Sequence, residues 1–273
     1  MIAIPPVEHA RPAAPVLSCG IAMRENCDLN ADMGESYGPW RMGEDAALLD
    51  VVSSCNLACG FHAGDPLTLL QTIEHARARG VAIGAHPGLP DLAGFGRREM
   101  QVSPAELRAL ARYQVAAVQG CVGAAGARLR HAKAHGALYH MLARDAALAG
   151  AFLDGVLALD ASLAIIGPPQ GALRELARAK GARYLVEGFA DRGYQADGSL
   201  LPRSRPGALL DAQAGLAQGL ALARGESIRA GDGSVLALAI DTLCVHGDGA
   251  EAVALARALR VALEAEGIAV RAP

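Results

Sequence analysis

The sequence predicts an α/β protein built as a TIM-like barrel, and three observations carry that expectation. Short apolar runs of strand length alternate about seven times with longer Ala- and Leu-rich segments of helical period, the pattern of a parallel sheet with right-handed crossovers. Seven or eight such units in a chain of 273 residues suit a closed barrel better than an open sheet. The dinucleotide fingerprint GxGxxG is missing from the first strand–helix turn, which counts against a doubly wound sheet, the nearest competitor. At 52% hydrophobic residues the chain has apolar material for one large core.

The first two dozen residues hold four prolines and no helical periodicity. They lack the charged start and long apolar block of a secretory signal, so 1–24 is expected to be a disordered or loosely packed extension, with Met23 a second candidate start. A single barrel domain is expected over 25–273. Its strands are placed at 25–31, 53–58, 81–86, 128–135, 161–166, 183–187 and 241–246, and its helices at 45–51, 66–79, 104–123, 145–159, 170–180, 211–224 and 249–266.

The strands also carry the chemistry. In the first, Asp28, Asn30 and Asp32 alternate onto one face and the apolar residues between them take the other. Two carboxylates and an amide facing a core are costly unless they are partnered or bind something. The second strand runs through Asn56 into Cys59-Gly60-Phe61-His62-Ala63-Gly64-Asp65, where Gly60 and Gly64 permit a tight loop that turns His62 toward the axis. Asp65 then caps the helix that opens at Pro66. Cys59 has no recognisable base beside it and reads as an inert thiol.

The third strand ends at His86-Pro87-Gly88, ahead of a loop holding Phe95-Gly96-Arg97-Arg98. Ser103, Pro104 and Glu106 then give the next helix a capping box. The fourth strand carries His131, Lys133 and His135 on one face. Lysine is rare here, two residues against twenty-three arginines, so Lys133 marks a site needing a compact ammonium. The sixth strand gives Glu187, followed by Asp191, Arg192 and a long loop to Ser204 of the kind that forms lids or partner surfaces. Asp232-Gly233 between two short apolar runs signals a hairpin. The seventh strand ends at His246-Gly247-Asp248.

Composition excludes several classes. A net charge of −3 with scattered arginines argues against nucleic acid as the main partner. No apolar stretch reaches the about 18–20 residues of a membrane span. Six cysteines without CxxC spacing read as reduced thiols, and the expected location is cytoplasmic.

Seven blocks in order, DLNADMGE, CNLACGFHAGDP, AIGAHPGLPD, GFGRR, HAKAHGALY, FADRGYQADGSLLPRS and CVHGDG, make the chain resemble the LamB/YcsF family from about Cys27 to the C-terminus. The resemblance implies a TIM-like (β/α)7 barrel of the glycoside hydrolase/deacetylase type. It also implies a hydrolase activity, the ATP-dependent opening of 5-oxoproline to glutamate, exercised with 5-oxoprolinase subunits B and C. Members usually read His-Val-Lys-Pro-His-Gly where this chain has Ala132 and Ala134, positions expected to face away from the site.

The residue chemistry is compatible with that activity. Opening an unstrained lactam is thermodynamically reluctant, and phosphorylating its oxygen couples the step to ATP. Asp32 or His135 is the candidate base, and Lys133 and Arg192 are candidates for the substrate carboxylate or the phosphate. Asp32, Lys133 and His135 form the expected catalytic set; Asp28, Asn30, Asn56, His62, His86, Glu187, Arg192 and His246 are expected around the substrate. No GxxxxGK[ST] motif occurs, so ATP, with Mg2+, binds through another arrangement or on one of the partners. Two other readings stay open. One is a metal-dependent amidohydrolase or deacetylase with Asp32, His62 and His86 as ligands. The other is a non-catalytic barrel whose polar cluster satisfies itself and leaves no open pocket.

Overall fold

The computed structural model describes residues 25–246 and 251–273. The expectations for 1–24, and for Gly247, Asp248 and the first turn of the last helix, lie outside them. Seven parallel strands close a barrel: β1 (Asn26–Met33), β2 (Ser54–Ala58), β3 (Ala82–His86), β4 (Leu129–Lys133), β5 (Ala164–Gly167), β6 (Tyr184–Phe189) and β9 (Thr242–Cys244). They pair in that order, and β9 returns to β1 with Asp28 opposite Thr242 and Asn30 opposite Cys244. The TIM-like (β/α)7 barrel expected from the sequence is therefore the fold.

Between β6 and β9 lies the hairpin that the Asp232-Gly233 signal predicts. Its strands β7 (Ile228–Arg229) and β8 (Val235–Leu236) pair antiparallel, and Gly233 takes φ +86° in the turn. A short β10 (Ala269–Val270), not anticipated from so brief a segment, adds to the start of β1.

Helices α1 (Asp45–Leu49), α2 (Pro66–Ala78), α3 (Pro104–Ala124), α4 (Gly136–Arg144), α5 (Ala146–Leu157), α6 (Ala172–Ala179), α7 (Ala212–Arg224) and α8 (Ala252–Ala265) follow the barrel strands. Two of their starts are capped as the sequence predicts. Asp65 accepts from the Thr68 amide at the start of α2, and Ser103 with Glu106 closes the capping box of α3. Helix α4 is the one the sequence did not separate, because the fourth strand stops at Lys133 instead of His135. Gly136 turns the chain at φ +54°, and a side chain there would place its Cβ 2.6 Å from the Gly96 carbonyl oxygen.

The main apolar core lies outside the barrel wall, where Leu29, Cys55, Ile83 and Ile165 on the strands meet Leu48, Ile73, Val118 and Phe152 on the helices. The interior holds a small separate apolar group, Ala164, Ile166 and Leu185. Register continues that group into polar residues, with Ala164 opposite His131 and Ile166 opposite Lys133. An ordinary barrel interior is filled by Val, Ile and Leu; this one is polar on the remaining strands, and the polarity defines the site. Among the described residues no helix is long and apolar enough to cross a membrane.

Candidate active site

The site rises through the barrel in layers set by the two-residue strand period. At the bottom, the buried Asp28 accepts hydrogen bonds from Ser53 Oγ (2.7 Å), Ser54 Oγ and Thr242 Oγ1 (2.6 Å). Burial nevertheless pushes its carboxyl above the ordinary range. One layer higher, Asn30 Nδ2 donates to Thr242 Oγ1, and Asn56 Nδ2 donates 2.8 Å bonds to both Asn30 Oδ1 and Asp32 Oδ1. His131 Nε2 donates to Asn56 Oδ1 at 2.7 Å, which fixes its tautomer. Burial, then the Lys133 charge, pulls His131 down to about 3. Space for this ring exists because residue 84 is glycine: a Cβ there would sit 2.0 Å from His131 Nε2.

Lys133 anchors the next layer. Its Nζ lies 2.9 Å from Asp32 Oδ1, 2.7 Å from Glu187 Oε1 and 3.3 Å from Cys244 Sγ. Burial works against the ammonium, but Asp32, Cys244 and Glu187 outweigh it and hold its pKa well above the usual lysine value. Burial likewise opposes ionisation of Asp32, and His86 and Lys133 outweigh it, keeping the carboxyl well below the usual range. One ammonium between two carboxylates leaves this layer with no surplus positive charge. Lys133 is therefore a poor receptor for a substrate carboxylate and serves as a fixed positive charge.

Above it, three imidazoles converge at the strand ends. His86 Nε2 is 3.3 Å from Asp32 Oδ2 and 3.0 Å from His135 Nδ1. His62, fully buried, stacks on His135 with ring centroids 3.7 Å apart and planes within 4°. Burial, then the neighbouring histidines, pushes His62 and His135 well below the ordinary histidine range, so both are neutral imidazoles. Glu35 Oε1 lies 3.6 Å from His62 Nε2 and 3.7 Å from His135 Nδ1.

A cleft of about 260 Å³ opens over these groups, with Asp32, Lys133 and His135 in its floor and Arg97, Arg192 and Arg203 in its walls. The loop that brings Arg192 and Arg203 is tied to the barrel by hydrogen bonds. Arg192 Nε donates to the Ala208 carbonyl and Nη2 to the Leu201 carbonyl, while Gln218 Nε2 donates to the carbonyls of Phe189 and Arg192. Burial, then the Arg203 charge, lowers Arg192 to about 10. His246 Nδ1 is held 3.0 Å from both Asp191 carboxylate oxygens, and its ring stacks on Phe189.

Of the residues expected at the site, the fold brings Asp32, His86, Lys133, His135, Arg192 and His246 to the cleft itself. His62 packs directly behind His135, and Glu187 grips Lys133 from below. Asn30 and Asn56 support Asp32 and Lys133 from beneath. Asp28 sits lower still, its oxygens taken by hydroxyl groups, and does not line this cleft. The metal triplet Asp32, His62 and His86 is not the set the fold gathers. Glu35 and His135 join the two histidines, whereas Asp32 falls with Cys244 and His246. Ala134, expected to face away, lines the cleft. Glu35, Arg97 and Arg203 went unassigned in the sequence. Arg97 stood in the GFGRR block beside Arg98, and only the structure separates them, since Arg98 turns outward to pair with Asp91.

A family model described as the LamB/YcsF family matches residues 27–273. The A subunit of 5-oxoprolinase from Bordetella pertussis is 55% identical over 92% of this chain and 100% of its own length. Its counterpart from Methylococcus capsulatus is 51% identical over 92% and 96%. Among solved structures, the lactam utilization protein from Thermus thermophilus superposes with a TM-score of 0.86. It shares 44% identity and covers 91% of this chain and 100% of that one.

Proposed function

The chain belongs to the LamB/YcsF family, and from that premise we propose that it is the A subunit of an ATP-dependent 5-oxoprolinase. In this reading it opens the lactam of 5-oxoproline to glutamate together with partner subunits B and C. The observation that carries the reading is the cleft itself, a small chamber with a carboxylate–ammonium floor and arginine walls. At about 260 Å³ it lies below the usual about 300–1,000 Å³ of pockets for drug-sized ligands, which suits a single five-membered ring.

The substrate carboxylate falls to the arginine walls, where Arg192 and its neighbours Arg97 and Arg203 present guanidinium groups. That places the lactam over Asp32 and Lys133. Asp32 and neutral His135, both at the cleft, are the two candidates for the base that takes the proton of the attacking water. Lys133, cationic and held at two carboxylates, supplies a fixed positive charge beneath the charge that develops as the ring opens. Its rigidity matters, because a preorganised charge needs no rearrangement at the moment of reaction.

ATP supplies the driving force by activating the lactam oxygen. No GxxxxGK[ST] motif occurs in the chain, so ATP and Mg2+ are assigned mainly to one of the partners. The cysteines described, Cys27, Cys55, Cys59, Cys121 and Cys244, are free, which fits a cytoplasmic protein. The open cleft above Asp32 and Lys133 counts against a barrel that only supports its partners' chemistry.

Glutamate release from 5-oxoproline with ATP and Mg2+ tests the proposal, using this chain alone, the partner subunits alone, and the mixture. Turnover in the mixture and not in the partners alone is expected. Undiminished turnover by the partners alone would overturn it.

A further inference from the structure

We propose that Glu35, His62, His86 and His135 form a binding site for one divalent first-row transition ion, of which Zn2+ is the representative. The proposal does not depend on the lactam reading, because metal content is measured without turnover.

Hydrogen bonding fixes the tautomers. His86 Nδ1 lies 2.8 Å from the Lys133 carbonyl oxygen, and His135 Nε2 lies 2.8 Å from the Phe95 carbonyl oxygen. A carbonyl only accepts, so each of these nitrogens carries the proton. That turns His86 Nε2 and His135 Nδ1 toward each other at 3.0 Å. Asp32 Oδ2 lies 3.3 Å from the same His86 nitrogen. Three electron-rich atoms converge there, and a cation between them, a proton or a metal ion, would satisfy the contact.

A proton on His86 would answer that contact but not His62. This ring is fully buried, and neither of its nitrogens has a hydrogen-bond partner. Its Nε2 points at Glu35 Oε1, 3.6 Å away. One donor atom from each of the four residues falls within a common 4.8 Å. The spacings of 3.0, 3.6 and 3.7 Å bracket the roughly 3.3–3.4 Å edge of a tetrahedron with bonds of about 2.0–2.1 Å. Imidazole and carboxylate donors suit zinc and its neighbours, and the backbone carbonyls on His86 and His135 are the outer-shell partners that ligating histidines use.

Glycine makes the chamber. A Cβ at residue 88 would lie 2.5 Å from His62 Nδ1, and one at residue 96 would lie 2.7 Å from His62 Cβ. Arg97 adds an opposing positive charge near the rings, which the Glu35 and Asp32 carboxylates answer. Because His62 and His135 are parallel, an ion in the plane of one ring is out of plane for the other, so loading tilts His62 out of the stack. The second grouping of possible ligands, Asp32 with Cys244 and His246, is taken by the Lys133 ammonium.

The test uses the full chain made without a polyhistidine tag, stripped with chelator and dialysed against buffered Zn2+, with metal measured by mass spectrometry. Close to one zinc per chain is expected. Glu35→Gln, an isosteric change, should weaken binding by more than about tenfold, since even outer-shell partners are worth about 10–100-fold. His62→Ala is the second variant, and each variant's fold is checked by circular dichroism. Cobalt loading of the wild type should give ligand-field bands without a thiolate charge-transfer band. Absence of stoichiometric zinc in folded wild type would overturn the proposal. So would binding that survives Glu35→Gln and His62→Ala, or a thiolate band placing the ion on cysteine.

Discussion

Lys133 sits between Asp32 and Glu187 with almost no exposure, so Lys133→Ala leaves two buried carboxylates without their cation. Breaking a buried pair in this way costs about 3–5 kcal/mol, and urea unfolding should show a loss of that size; a loss under about 1 kcal/mol, the worth of an exposed pair, would mean that water reaches the layer. Gly84→Ala drives a methyl into the His131 ring and should cost about 1–3 kcal/mol by overpacking, read from the same transitions. His131 gives a pH signature. Its native pKa of about 3 lies below the unfolded value of about 6.5, so the unfolded state binds the extra proton and stability falls as pH drops below about 6.5. The slope is about 1.4 kcal/mol per pH unit down to about pH 3. His131→Gln should flatten the acid limb of the stability profile by that amount, and an unchanged limb would refute the assignment. Lys133 and its flanking histidines were legible in the sequence because three ionisable residues at a spacing of two are not chance filling of a buried strand. Glu35 was not, because counting by two from Asp32 puts it on the outer face. Gly34, at φ +70°, ends the strand geometry and turns Glu35 inward.

At the scale of elements, the strands and most helices were legible because their boundaries carry capping chemistry. Ser103 caps α3 through the Glu106 amide. Ser103→Ala should cost about 1 kcal/mol in equilibrium unfolding, while no loss would mean that packing against α5 alone holds the first turn. Helix α4 escaped notice for the opposite reason. Its N-cap is His135, which makes no capping bond, and the ring turns instead to Phe95 and His86. A helix whose cap residue serves the site carries no start signal. The length of the loop after β6 marks it as a lid or a partner surface. Its buried Arg192, bonded to the carbonyls of Leu201 and Ala208, lines the cleft wall, a tertiary fact that loop length does not encode.

At the scale of the molecule, the barrel reverses the usual arrangement of its fold. The helices bury the apolar faces of the strands outside, and the axis is given over to a polar column from Asp28 to His135. Such a column is stable only where each group is partnered, and it leads upward to the single-ring cleft. The central claim is that this column does chemistry for a partnered lactam-opening enzyme. The most direct measurement is kcat for glutamate release by the reconstituted complex carrying Asp32→Asn, with assembly and fold checked on the same sample. A loss of about 10²–10⁴-fold, the worth of a general base, is the predicted result. Wild-type turnover from a folded, assembled Asp32→Asn complex would contradict the account and move the chemistry to the partner subunits.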